Sequence, residues 1–469
     1  MKDFRLLPLL ASLALAVQAS TSALAGSYTV TVTGTVDGIT EKTIGAVEGC
    51  ARFDVADLVE AGFTNYRIYA GMSRVEPADD DGVYGSPSVA EVKANPDVIP
   101  WTAWDQQFDR PDSYFWSGGC PGGGAQVSLR SMLAALRDNG ILPIVTLRNV
   151  DNNDLPAWAQ ALNPPLDAAG RNEWWQFVFA WVYWANVRNG LEVHDWQVHN
   201  EPDNASQGWA GTLADYIDFT RETSDAIRYV YATYLPGKTP RIYAPVSTHA
   251  NEWITESIRL NDAIIDVVDW HRYGPPADEA MQLHAWIDEF DTDGDHEDLY
   301  LSEWGSYRGE YTSVGSCMNY SSYLVDHSAT ASYVASSGIF PFYDWTTRMI
   351  GLVAPDGTRR ECFWAFRLMT RGLNGGRPKY LTTHNVPANI SLKPIAALAP
   401  DGTLYVELVN KSTQPHTVTL DLSAHATTGT VTLRQYSAAV KDAVTGTASL
   451  VNGRVTLSVP KSAIVQVIR

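Results

Sequence analysis

Between about residues 43 and 372, short runs rich in apolar and β-branched residues alternate eight times with longer stretches of helical periodicity. No other feature constrains the fold as tightly. A strand that rejoins its sheet after a helix runs parallel to its predecessor, and a parallel sheet is covered on both faces, so its strands read as nearly continuous apolar runs. The strand candidates are 43–49, 65–70, 141–147, 196–201, 241–245, 265–271, 299–303 and 339–344. The helix candidates are 51–61, 126–139, 173–189, 213–234, 251–260, 279–290, 321–336 and 361–370. Gly62, Gly140 and Gly190 stand where three helices should end, as left-handed C-caps do. Eight repeats predict an α/β fold of the closed (β/α)8 TIM-barrel type over 43–372 rather than an open sheet. No Gly-x-Gly-x-x-Gly follows the first strand to indicate a dinucleotide site.

From residue 373 the helical period disappears. Alternating segments at 403–409, 416–422, 431–436, 454–459 and 463–468 are separated by turn signals such as Pro400-Asp-Gly402 and Asn452-Gly453, which predicts an antiparallel β-sandwich over 373–469. Residues 26–42 also alternate and are expected to add a strand to that sandwich. Residues 1–25 read as an export signal: Lys2 and Arg5 precede an apolar run over 6–17, and Ala23-Leu24-Ala25 offers a small-x-small cleavage site. That run is shorter than the ~20 residues of a membrane span, so export without membrane insertion is expected, to the periplasm or outside the cell.

With 34 Lys+Arg against 53 Asp+Glu, the formal charge of −19 disfavours nucleic acid, anionic membranes and polyanionic substrates; a neutral polymer fits better. The four cysteines, Cys50, Cys120, Cys317 and Cys362, form no C-x-x-C spacing, so disulfides rather than a zinc site are expected in an exported chain. Asp291-Thr-Asp-Gly-Asp295 resembles the start of a calcium loop. His296 stands where that loop needs Gly and Ser302 where it needs Glu, so a solvated helix-to-strand loop is the expectation. No metal and no cofactor is expected.

The C-terminal strand ends of a (β/α)8 barrel form its reactive face. Glu201, in Asp195-Trp-Gln-Val-His-Asn-Glu-Pro-Asp203, ends the fourth strand, and Glu303, in Leu299-Tyr-Leu-Ser-Glu-Trp-Gly305, ends the seventh. Two carboxylates facing each other across a cleft are what cleavage of a glycosidic bond requires. One protonates the leaving oxygen and the other attacks or stabilises the developing oxocarbenium ion.

With His-Asn-Glu-Pro at the fourth strand and a Glu at the end of the seventh, the chain resembles glycoside hydrolase clan A. Val268-Asp-Trp-His-Arg-Tyr273 is most similar to family 39, with families 30, 51 and 5 as neighbours. The resemblance implies a retaining enzyme acting on an oligosaccharide or polysaccharide, with Glu201 as general acid/base and Glu303 as nucleophile. It further implies that Asn200 binds the sugar 2-hydroxyl, that Arg67 keeps Glu303 ionised, that His271 and Tyr273 orient the nucleophile, and that Trp345 forms a floor for the sugar. Trp304, beside the nucleophile, and Trp104, in the long segment 71–124 that also holds Trp101 and Trp116, are further candidates for sugar stacking. Asp105, Asp109 and Asp112 in that segment either bind hydroxyls or are simply solvated. Neighbouring top-face loops pair Cys50 with Cys120 and Cys317 with Cys362. Cleavage of β-bonds in a xylan-type glycan is the favoured reading. Endo action on a mannan, glucan, agar or arabinan, or a non-catalytic glycan-binding barrel, remains open.

Overall fold

The computed structural model describes residues 25–49, 52–69, 71–76, 78–79, 82–111, 127–147, 155–159, 161–306, 310–329, 334–344 and 349–469. The export signal up to residue 24, Cys50 and Cys120, Asp112, Trp116 and Trp345 lie outside the described residues.

After a first strand, β1 (Ser27–Ile39), come eight strands: β2 (Thr43–Val47), β3 (Asn65–Tyr69), β4 (Leu142–Thr146), β5 (Asp195–Gln197), β6 (Arg241–Ser247), β7 (Val267–Arg272), β8 (Asp298–Gly305) and β9 (Val334–Phe340). They close in sequence order into one parallel barrel, with β9 pairing back onto β2. Local chemistry sets the helix limits. Thr212 and Asp215 form a reciprocal capping box at the start of the helix Leu213–Tyr234. Gly62, at φ +72°, ends the helix Val55–Ala61 in the left-handed region.

The eighth strand departs from expectation. It was placed at 339–344 and occupies Val334–Phe340, and the helix before it runs Val314–Ala329 rather than 321–336. Ser336, Ser337 and Gly338 do not read as a strand, and at Gly338 nothing larger fits. A Cβ on Gly338 would lie 2.9 Å from the Tyr300 hydroxyl and 3.0 Å from the Ser302 carbonyl. Close approach inside the barrel selected small residues over β-branched ones.

Eight further strands follow: β10 (Pro378–His384), β11 (Leu392–Leu398), β12 (Leu404–Asn410), β13 (His416–Asp421), β14 (Gly429–Tyr436), β15 (Ala443–Leu450), β16 (Arg454–Val459) and β17 (Ala463–Ile468). With β1 they form a mostly antiparallel nine-stranded sheet that encloses its own apolar core. The N-terminal strand β1 runs antiparallel to β10 and parallel to β13, so both ends of the chain build this unit.

Asp442, between β14 and β15, anchors the sheet on the barrel. Its side chain is fully buried and accepts hydrogen bonds from Arg367 (2.6 Å) and Arg371 (3.1 Å) of the helix Glu361–Leu373 and from Arg434 of β14 (2.9 Å). Burial opposes its ionisation, but the three guanidinium groups hold its carboxyl below the ordinary aspartate value. The Cys317–Cys362 disulfide joins the helix after β8 to the helix after β9. Among the described residues no helix is long and apolar enough to cross a membrane.

Removing one partner of a buried ion cluster leaves charge uncompensated, whereas a surface pair contributes little. Asp442→Ala should therefore lower unfolding stability by about 3 kcal/mol in urea denaturation. Breaking the half-exposed Lys42–Asp298 pair by Lys42→Ala should cost at most about 1 kcal/mol.

Candidate active site

Side chains alternate across a strand, so Asn65, Arg67 and Tyr69 of β3 share the face turned into the barrel. Arg67 is fully buried there. Its guanidinium reaches three other strands or strand ends. It donates from Nε to Gln197 on β5, from Nη2 to the Asn200 Oδ1 just beyond β5, and from Nη1 to Glu303 Oε1 on β8 at 2.6 Å. Nη1 also donates to the Tyr69 hydroxyl at 3.0 Å. Burial disfavours this cation, yet Tyr69, Glu303 and Asp269 more than offset that effect, and Arg67 stays charged.

Glu303 owes its direction to an irregularity. His271 pairs with Glu303 while the preceding Trp270 pairs with Leu301, so β8 carries one residue more than β7 at this point. Such a bulge re-aims a side chain. It turns Glu303 inward beside His271 and leaves Trp304 outside. The Glu303 carboxylate then accepts from Arg67 and Tyr69 on one oxygen and from the Tyr273 hydroxyl, at 2.6 Å, on the other. Burial alone would raise its pKa; the His271 and Arg67 charges and the two phenol hydrogen bonds reverse this and hold it below the ordinary glutamate value.

Glu201 stands opposite in a different setting. Its backbone is in the left-handed region at φ +46°, uncommon for a non-glycine residue, and it is followed by Pro202, which restricts it further. A hydrogen bond from its N–H to the Val246 carbonyl (2.7 Å) helps to hold it there. Strain of this kind persists where surrounding structure over-determines it. One Glu201 oxygen lies 2.7 Å from His271 Nδ1, and the other accepts from the Asn204 amide at 3.0 Å. His271 Nδ1 is also 3.6 Å from Glu303, so a single imidazole lies between the two carboxylates. Burial pulls that imidazole towards neutrality, but Glu303 and Glu201 outweigh it and raise its pKa above the ordinary histidine value.

A carboxylate oxygen of Glu201, one of Glu303 and the His271 Nδ1 all lie within 4.8 Å of one another. That spacing would suit a metal ion, but the surroundings do not. Both Glu303 oxygens are already occupied by donors, and a second cation would sit beside the Arg67 guanidinium. The arrangement suits proton transfer and nucleophilic attack between two unlike carboxylates instead.

The structure thus brings Arg67, Asn200, Glu201, His271, Tyr273 and Glu303 together at one end of the barrel. His271 differs in detail from expectation: its hydrogen bond is to Glu201, and Glu303 is held by Tyr273, Tyr69 and Arg67. Two tryptophans are corrected. Trp304 is 1% exposed on the outer side of β8, with its ring against His327 and Phe366. Trp104 is equally buried, packed with Phe108 and Phe177 between the helix Trp101–Asp109 and the helix Ala168–Val182. The aromatic surface of both is spent on the core: Trp104 lies in a helix formed by the segment after β3, and Trp304 faces the helices that follow β8 and β9. Asp105 and Asp109 pair with Arg130 at 2.7 and 2.5 Å and stay partly exposed, so they form a solvated surface ion cluster.

Sequence reasoning missed Tyr69, Gln197, Asp269 and Asn204. Tyr69 was accessible, since it shares the inward face of β3 with Arg67. Gln197, on β5, accepts from Arg67 and donates to Asp269, whose burial pushes its carboxyl up to about 7. Asn204 lies in the loop after Pro202, where no strand or helix period applies.

No family model matches the chain, and no curated protein matches it. Solved structures do share its fold over nearly the full length. An α-L-arabinofuranosidase from Thermotoga maritima superposes with a TM-score of 0.68 at 13% identity, covering 94% of this chain and 99% of that one. A family 30 endoxylanase from Clostridium papyrosolvens C71 gives 0.64 at 14%, covering 94% and 99%. A family 39 enzyme from Xanthomonas axonopodis pv. citri gives 0.63 at 16%, covering 97% and 99%. The barrel with its appended β-sheet unit is therefore the fold of glycoside hydrolases of clan A.

The Glu303 charge contributes stability that is present above the unfolded glutamate pKa of about 4.3 and is lost as pH falls through its lower folded value. Each phenol stabilises the charged form, so in Tyr273→Phe and in Tyr69→Phe the Glu303 carboxyl should titrate at higher pH than in the parent. Carbon-13 NMR of glutamate-labelled protein reads this directly, and an unchanged or lower titration would show that the phenols do not hold the charge.

Proposed function

We propose that the protein is a retaining glycoside hydrolase. The observation that carries this reading is the unlike pair of glutamates, with carboxylate oxygens within 4.8 Å of each other at the C-terminal ends of β5 and β8. Retaining enzymes hold their two carboxyl groups roughly 5–5.5 Å apart, whereas inverting enzymes need about 6.5–9.5 Å to admit a water. A shared barrel does not by itself define chemistry; the geometry of this site does.

Glu303, kept ionised by Arg67, Tyr69 and Tyr273, attacks the anomeric carbon while Glu201 protonates the departing oxygen. The glycosyl–Glu303 ester forms as the glycosidic C–O bond breaks. Glu201, now a carboxylate, takes a proton from water, whose oxygen attacks the anomeric carbon and frees Glu303. His271 couples the steps. As Glu303 loses its charge to the ester, Glu201 gains one, so the imidazole always faces a carboxylate. Asn200, whose Oδ1 is held by Arg67, presents its amide to the sugar 2-hydroxyl.

The substrate we favour is a β-linked neutral glycan of xylan type, in line with the acidity of the chain. We further infer export directed by residues 1–25, and the Cys317–Cys362 disulfide accords with an oxidising compartment.

The test is hydrolysis of a panel of aryl β-glycosides, an aryl α-L-arabinofuranoside and neutral polysaccharides by wild type, Glu201→Ala and Glu303→Ala, with and without azide. Azide needs no acid catalysis to attack a glycosyl-enzyme. On a β-substrate, Glu201→Ala should lose about 10²–10⁴-fold in rate and form a β-glycosyl azide, while Glu303→Ala should give the α-azide. Two unimpaired variants would overturn the assignment, and binding of glycans without cleavage by wild type would favour a glycan-binding barrel.

A further inference from the structure

At the opposite end of the barrel, the helix Ala277–Phe290 descends from β7 and a loop over residues 291–297 turns the chain into β8. His284 and Asp288 are one helical turn apart and share a face. His296 comes back from the loop onto that face. Its Nε2 lies 3.0 Å from one Asp288 oxygen, and His284 Nε2 lies 3.6 Å from the other. One donor atom of each residue falls within 4.8 Å of the others. Two ligands about 2.0–2.1 Å from a tetrahedral ion are themselves about 3.4 Å apart, and each histidine stands near that distance from an Asp288 oxygen.

The loop holds this geometry. Asp262 accepts from the Thr292 N–H at 2.7 Å and hydroxyl at 2.5 Å. Asp291 accepts from the Gly294 N–H at 2.6 Å, and His296 itself is fixed in the left-handed region at φ +53°. The three ligand side chains are partly or largely exposed, with His284 at 24%, His296 at 43% and Asp288 at 58%, so an ion has direct access. Asp291, Asp293, Asp295 and Glu297 make the same loop strongly acidic, which concentrates cations nearby.

We propose that His284, Asp288 and His296 form a binding site for a divalent transition metal of the zinc class. Two imidazoles and one carboxylate suit zinc, cobalt or nickel and do not suit calcium or magnesium, which take oxygen ligands. Three protein ligands at the surface leave a fourth position to water. The ion ties the helix after β7 to the loop that feeds β8, and so braces the base of the strand that carries Glu303. The site is remote from the two glutamates, and the inference stands independently of the proposed hydrolase activity.

The experiment is titration of the full chain, stripped with a chelator, with Co²⁺ and then Zn²⁺, followed by visible absorption and by thermal unfolding. The parent should bind one Co²⁺ with the absorption of a low-coordinate site, lose it to Zn²⁺, and unfold at higher temperature with zinc. Loss of an outer hydrogen bond alone typically weakens a metal site 10–100-fold, so His284→Ala and His296→Ala should each bind at least about tenfold more weakly and lose the thermal shift. Glu303→Ala should bind as the parent does. No stoichiometric binding by the parent would overturn the proposal, as would binding that survives both histidine substitutions. Calcium-selective binding lost in Asp262→Asn would place the ion among the loop aspartates instead, and binding lost in Glu303→Ala would place it in the cleft.

Discussion

A guanidinium sealed inside a barrel imposes conditions on everything near it. Arg67 has no access to water, so each of its donors must find an acceptor, and its charge must meet an opposite charge. Gln197 and Asn200 answer the first demand and Glu303 the second. Those three partners come from β5, from the turn just past it and from β8, so one cation fixes the positions of both segments that carry the glutamates. It also sorts the two carboxyl groups. Arg67 contacts Glu303 directly, whereas among the described residues the Glu201 carboxylate bonds to His271 and Asn204. An unlike pair with one partner held ionised follows from where a single buried charge was placed.

The division of labour between the barrel ends follows from the same physics. Towards the C-terminal strand ends the interior is polar, and Arg67, Gln197, Asp269 and Glu303 bond to one another across strands. At the interface with the nine-stranded sheet charge is paired as well: three arginines converge on the Asp442 carboxylate, and Lys393 pairs with Asp326. Trp304 and Glu303 illustrate the boundary. They are neighbours in sequence, yet one belongs to the helical layer and the other to the cleft, because a single extra residue in β8 decides which side each faces.

Much of this was legible in the sequence, for reasons that can be named. Parallel strands buried on both faces leave continuous apolar runs, and helix ends leave glycines and capping boxes, so seven of the eight barrel strands fall near their expected places. A lone glutamate at a strand end is most often a surface charge, but Glu201 and Glu303 were legible as a pair, at the ends of the fourth and seventh strands, in Asn-Glu-Pro and Ser-Glu-Trp-Gly. The eighth strand was not, because its small residues answer to the Tyr300 hydroxyl across the barrel and not to any local preference. The tryptophans misled for a different reason. An aromatic ring serves equally well as core or as sugar platform, and only tertiary structure shows that Trp104 and Trp304 are sealed. Contacts such as Tyr69 with Glu303 or Asn204 with Glu201 join residues through space or irregular turns, where no period marks them.

The central claim is that Glu303 is a charged nucleophile set opposite Glu201. It is tested most directly by incubating the enzyme with activated 2-deoxy-2-fluoro glycosides of its best substrate, which slow breakdown of a glycosyl-enzyme, and mapping the modified peptide by mass spectrometry. The account predicts one added sugar per chain, attached to Glu303 within the Leu299–Gly305 sequence. A sugar on any other residue, or turnover to the inverted anomer with no adduct, would contradict it.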